Sequence, residues 1–150
     1  MVRLLVAFVV ALVVMVVLGT AAHSLMVQAA WADAAAQAGG AAVALPLGDR
    51  VSWFVHDLFG MAPLFGALSG VALLVAFLVG TLMARFTGLR LVVLAVAGAV
   101  AIFVLFTVMK MTLGTVGVFG ARGTLGLGLQ MAAGLISGLV FAMLSRPREA

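Results

Sequence analysis

Few residues in this chain are equipped for chemistry. Its 150 residues include two histidines, four acidic and eight basic side chains, and no cysteine. Without cysteine there is no disulfide, thiolate metal site or sulfur nucleophile. His23 and His56 are too few for a histidine-rich metal cage. No Ser/His/Asp arrangement, no His-Glu-x-x-His spacing and no pair of carboxylates within an apolar run is present. Gly126-x-Gly128 lacks the third glycine of a nucleotide loop, because Met131 stands there and no strand precedes it. No catalytic residue, metal site or cofactor is therefore expected, and the chain reads as a non-enzyme.

The remaining polar candidates are His23, Asp49, Arg50, His56, Asp57, Lys110, Arg122 and Gln130. His56-Asp57 is the one local acid/base pair, and with Asp49 it suggests a proton relay or cation site. The plainer reading, which we prefer, is a solvated helix face with a capping aspartate. For His23 the preferred reading is a neutral imidazole hydrogen-bonded to a neighbour.

The elements that must position these residues follow from composition. Apolar residues make up 67% of the chain and charged residues 8%. A soluble domain has roughly 45–50% and about 25%. A water-soluble fold of this size could not hide so much apolar side chain. The scattered basic residues form no stripe for a phosphate backbone, which argues against nucleic acid as a partner.

Uncharged runs begin at Leu4, Gly60, Leu91 and Gly123. Each can supply the roughly 20 residues that a helix needs to cross hydrocarbon, and none shows the alternation of barrel strands. The predicted fold is all-α: a single membrane domain over 1–150, built as a four-transmembrane-helix antiparallel bundle. The spans are approximately 4–27, 61–84, 91–111 and 123–145. Pro63 suits the first turn of the second span, Pro147 follows the fourth, and Thr87-Gly88 breaks the second from the third.

With the N-terminus inside, Arg3, Arg85, Arg90, Arg146 and Arg148 fall on the cytoplasmic side, against Arg50, Lys110 and Arg122 outside. That bias places both termini in the cytoplasm. The Ala/Val/Gly-rich composition suggests a bacterial inner membrane. A rival reading takes the first span as a cleaved signal peptide, but its apolar run exceeds the usual 7–15 residues.

The outer loop, 28–60, carries two further expectations. The first span continues through its Ala-rich start until Gly39-Gly40 ends it. Asp49 then caps a short interfacial helix, 49–59, with Val51, Phe54, Val55 and Leu58 on one face and Trp53 at headgroup level. This helix lids the bundle, and His23, Arg50, His56, Asp57, Lys110 and Arg122 could converge beneath it.

Close backbone approach must hold helices together in lipid. Gly66-x-x-Ser69-Gly70 and Gly134-x-x-Ser137-Gly138 supply it, so that the second and fourth spans meet each other or a second subunit. Arg122, Gly126, Gln130, Gly134 and Gly138 are spaced four apart along one slowly drifting helix face. An amide in hydrocarbon needs a partner, so Gln130 should turn inward and touch another helix; the alternative is that it lines a pore. Glycine at every third position from Gly114 to Gly126 reads as a flexible turn. The expected function is a non-catalytic accessory, scaffolding or self-associating subunit whose partners are the lipid bilayer and a homo-oligomer or other membrane subunits. The alternative is an oligomeric transporter or channel for a small solute, ion or proton.

Overall fold

The computed structural model describes residues 2–39 and 45–146. Gly40, Pro147 and Arg148, used above, lie outside the described residues. The described chain consists of α1 (Val2–Gln37), α2 (Leu47–Thr87), α3 (Arg90–Leu113), a 3-10 turn (Phe119–Ala121) and α4 (Thr124–Leu144). All four α-helices are long and apolar enough to cross a membrane. Only 22% to 39% of the most apolar stretch of each helix is buried. Most of the apolar side chains therefore face outward, as a lipid solvent allows and water does not.

Each helix packs mainly on two others: α1 on α2 and α4, and α3 on α2 and α4. The contacts run in opposite directions along each pair. Along α1 and α2, Phe8 meets Phe77, Leu12 lies against Gly70, Val16 against Gly66, and Trp31 meets Trp53. Along α3 and α4, Arg90 meets Ser145, Leu94 meets Gly138, and Gly98 meets Gly134. Inside lie small or flexible residues such as Ala7, Ala11, Met15 and Ala142, with Phe65, Phe77, Phe106 and Phe141 between them. Phe77 crosses the interior to stack on Phe141 at 4.5 Å between ring centres, a pairing worth about 0.5–1.5 kcal/mol beyond its burial.

The glycine motifs find different partners from those expected. Gly66 and Gly70 face Val16 and Leu12 of α1, while Gly134 and Gly138 face Gly98 and Leu94 of α3. The two Gly-x-x-Ser-Gly faces do not meet, because α2 and α4 stand on opposite corners of the ring. Gly126 lies against Gly120 and Met26.

Helix lengths are unequal. From Arg90 to Lys110, α3 rises about 30 Å at 1.5 Å per residue, the thickness of a bilayer's hydrocarbon core. The α3–α4 connection meets α1 at His23, yet α1 runs on to Gln37, about another 21 Å. Phe65 of α2 stacks on Phe106 of α3, so Met61, one turn before it, lies level with Lys110. The stretch of α2 from Leu47 to Met61 is also about 21 Å long. Two long helices thus form an arm that stands beyond the other two.

This arm corrects the expectation of a loop at 28–60 with a separate interfacial helix. Residues 49–59 are the opening turns of α2 and continue without a break into the span. Gly60 is tolerated within a helix at a modest cost. Pro63, expected in the first turn of the span, is interior and removes only the bond to the Phe59 carbonyl. The contacts of Trp53 and Phe65 with α1 hold the helix on either side of it. Nor is Asp49 the cap. Pro46 occupies that position, no side chain caps the helix, and Asp49 is exposed in the first turn.

The glycine-rich connection is not a free turn either. Gly114 ends α3 in the left-handed conformation at φ +70°, and Val116, Val118, Gly120 and Ala121 are buried. A side chain at Gly120 would collide with the His23 backbone at 2.6 Å. The glycine is there to let the connection touch α1.

Candidate functional site

The polar residues occupy four places. The first is the root of the arm. Gln28 of α1 is buried; its Nε2 donates to Ser24 Oγ at 3.1 Å and to the Arg50 carbonyl at 3.3 Å. Arg50 Nε donates back to Gln28 Oε1 at 2.9 Å. Charge-assisted and reciprocal, this pair fixes the start of α2 to α1. Trp31 and Trp53 add an edge-on contact at 6.1 Å further along. Gln28 and Ser24 were not singled out from sequence. The available signal was Gln28 standing four residues after Ser24, on the same helix face.

The second place is the connection. His23 Nδ1 accepts a hydrogen bond from the Gly120 N–H at 3.1 Å, so that nitrogen is the unprotonated one. Asp57 is half-buried on α2. His56 and Asp49 are exposed. The structure thus joins His23 to the connection and Arg50 to α1. It draws Lys110 and Arg122 together in a cleft between α3 and α4. That cleft, of about 500 Å³, is also lined by Phe103, Phe106, Thr124 and Leu127. Arg122 is held in it, with Nε donating to the Val116 carbonyl at 3.1 Å and the guanidinium 5.3 Å from the Phe119 ring centre.

The third place is the interior. Gln130 is fully buried and its Nε2 donates to the Gly19 carbonyl of α1 at 2.8 Å. Ser137, two turns further along α4, donates to the Ala11 carbonyl at 2.8 Å. Both bonds tie α4 to α1. Gly19 matters here because a methyl group at that position would lie 2.7 Å from the Phe65 ring and 2.9 Å from Gln130 Oε1. Gln130 Oε1, Thr20 Oγ1 and Ser69 Oγ are buried without a hydrogen-bond partner among the described residues.

The fourth place is the opposite end of the molecule. Arg90 reaches Ser145, donating to its Oγ at 2.6 Å and to its carbonyl at 3.3 Å. Arg3 Nε donates to the Leu144 carbonyl at 2.9 Å. Two cations thus close the C-terminal end of α4, where the helix leaves carbonyls unpaired and its dipole is negative. From sequence, Arg3 and Arg90 carried only topological weight, since their partner is a backbone end contributed by another helix.

Among the described residues, no group of three or more His, Cys, Asp or Glu side chains could hold a metal ion. What the geometry does best is mechanical: Gln28, Arg50, Gln130, Ser137, Arg90 and Arg3 each tie one helix to another. Compared with known proteins, the chain matches no family model, no curated protein sequence and no solved structure.

Proposed function

We propose that this chain is a non-catalytic accessory or scaffolding subunit of an inner membrane, a four-helix antiparallel transmembrane bundle with both termini in the cytoplasm. One observation carries the reading: the arm made by α1 and α2 presents an apolar face that no described residue covers. Leu47, Val51, Val55 and Phe59 follow one another at four-residue spacing, and they are 77%, 53%, 42% and 76% exposed. The stripe is about 18 Å long and extends beyond the level of Lys110, out of the hydrocarbon. An apolar face in that position suits another protein, either a second copy or a different membrane subunit. The glycine faces, by contrast, are consumed within the chain, which moves any association onto the arm.

Replacing Val51 and Val55 by Asp tests the reading. Native mass spectrometry in mild detergent should show an assembly for the parent chain and a monomer of unchanged helicity for the variant. A parent that is strictly monomeric, with no protein bound, would overturn it. Because the chain has no cysteine, single cysteines at exposed Ala36 and Phe86 report orientation directly. An impermeant maleimide should label Ala36→Cys from outside and leave Phe86→Cys untouched in sealed cells.

The second reading, an oligomeric transporter or channel, draws on the three unpartnered atoms of Gln130, Thr20 and Ser69 inside the helices. Proteoliposome flux that falls in Gln130→Leu and His23→Ala would favour it, and unchanged flux would remove these residues from any path.

A further inference from the structure

We infer that the cleft between α3 and α4 is a binding site for one anionic phospholipid, with Lys110 and Arg122 holding the phosphate and Phe103, Phe106 and Leu127 receiving an acyl chain. The inference requires only that the helices lie in a bilayer, so it stands apart from the scaffolding reading.

The cleft is large enough for a ligand. Its volume of about 500 Å³ falls within the roughly 300–1,000 Å³ typical of ligand pockets. Its walls are divided. Phe103, Phe106 and Leu127 form an apolar floor, and Lys110, Arg122 and Thr124 stand at one end.

The polar end is uniformly positive. Lys110 makes no hydrogen bond or ion pair among the described residues, and the Nε bond to Val116 leaves the terminal nitrogens of Arg122 available. None of the acids among the described residues, Asp33, Asp49 and Asp57, lines the cleft. Gly123 and Thr124 also line it, and they begin α4 with no side-chain cap. The unpaired N–H groups of that first turn add positive partial charge on the same side. Two cations and an uncapped helix start, with no described carboxylate among them, favour an anion.

The depth identifies the anion. Lys110 lies about 30 Å along α3 from Arg90, so the two residues bracket the hydrocarbon core and Lys110 stands at headgroup level. The apolar floor runs from there back into the hydrocarbon, since Phe103 and Phe106 precede Lys110 by one to two turns. An anion at headgroup depth with an apolar chain directed into hydrocarbon is an acidic phospholipid. Arg122 is suited to the phosphate because its side chain is already held by Val116 and Phe119 and so loses little freedom on binding.

The test uses the full chain in nanodiscs of phosphatidylcholine containing a minor share of phosphatidylglycerol. After transfer to mild detergent, native mass spectrometry counts the retained lipid. The parent should keep one phosphatidylglycerol in preference to phosphatidylcholine. Lys110→Gln with Arg122→Gln should lower that preference by roughly thirtyfold, given about 1 kcal/mol for each basic residue near a charged membrane surface. Arg122→Lys, which keeps the charge but alters the turn, should retain most of it. Arg85→Gln, at the opposite end of the helices, should change nothing. Equal retention of the two lipids would overturn the inference. So would a preference that survives the double substitution, that falls equally in Arg85→Gln, or that is abolished by inorganic phosphate, which has no acyl chain.

Discussion

Replacing Gly134 by Ala should destabilise the protein, whereas the same substitution six residues earlier on α4, at Gly128, should not. A methyl group at Gly134 would lie 2.5 Å from the Gly98 carbonyl oxygen and 2.7 Å from Ile102 Cγ1. An ordinary contact is near 3.4 Å, so α3 and α4 must separate by about 0.9 Å. A gap of 0.5–1 Å forfeits about a quarter to a half of the dispersion well for the atoms involved. These two helices share the most extensive contact in the molecule, and lipid supplies no hydrophobic force to compensate. Overpacking of this kind costs about 1–3 kcal/mol. Gly128 is exposed and meets nothing within 4 Å. There the methyl group only removes the helix penalty of glycine, a gain of about 0.5–1 kcal/mol. The two variants should therefore differ by about 1.5–4 kcal/mol. Reversible unfolding in mixed detergent micelles, followed by far-ultraviolet circular dichroism, measures the difference. Adding Ile102→Ala to Gly134→Ala should not restore the loss, because the Gly98 carbonyl is backbone and cannot turn aside and Ile102 is itself fully buried. A Gly134→Ala variant as stable as Gly128→Ala would refute the reasoning.

Gln130→Leu tests a balance of two opposing effects. It removes one bond to α1, worth about 0.6–1.7 kcal/mol in membrane proteins, and also removes a buried oxygen that has no partner, itself a cost of about 1–3 kcal/mol. Stability in the same assay should lie between a loss of about 0.7 and a gain of about 2 kcal/mol, and a loss of several would mean that Oε1 is satisfied after all. Trp31→Ala should raise hydrogen exchange in 28–37 and 47–58 and leave α3 and α4 unaffected; protection lost evenly along all four helices would show that the arm is not a separate unit.

The long apolar helices were legible because the property that defines them is local. Twenty uncharged residues in lipid leave a backbone no choice but helix. The same holds for an amide inside such a run, which must turn inward whichever neighbour it finds. That the neighbour is Gly19 depends on helix order, which no window of sequence contains. Gly98 shows the limit from the other side. It stands alone, with no small residue at four-residue spacing that would complete a glycine motif, and its importance comes entirely from Gly134 opposite. The arm was misread for a related reason. An amphipathic stretch such as 49–59 can lie flat on a surface or stand against another helix. Trp31 and Gln28, more than twenty residues earlier, decide between these. Lys110 and Arg122 were both visible in sequence, but their shared cleft depends on how α3 packs against α4.

The bonds that join α1 to α4 have a consequence for biogenesis. Arg3 to Leu144, Ala11 to Ser137 and Gly19 to Gln130 span 141, 126 and 111 residues. During synthesis, α1 enters the bilayer long before the surface it grips exists. Until α4 arrives, the first three helices form an open ring, with one flank of α1 and one flank of α3 still unpaired. Assembly therefore has a late, cooperative last step, in which a single helix closes both gaps at once. A ribosome that stalls after α3 is complete and before α4 is made would leave a three-helix intermediate with two unmatched flanks, a defect that membrane quality control can recognise.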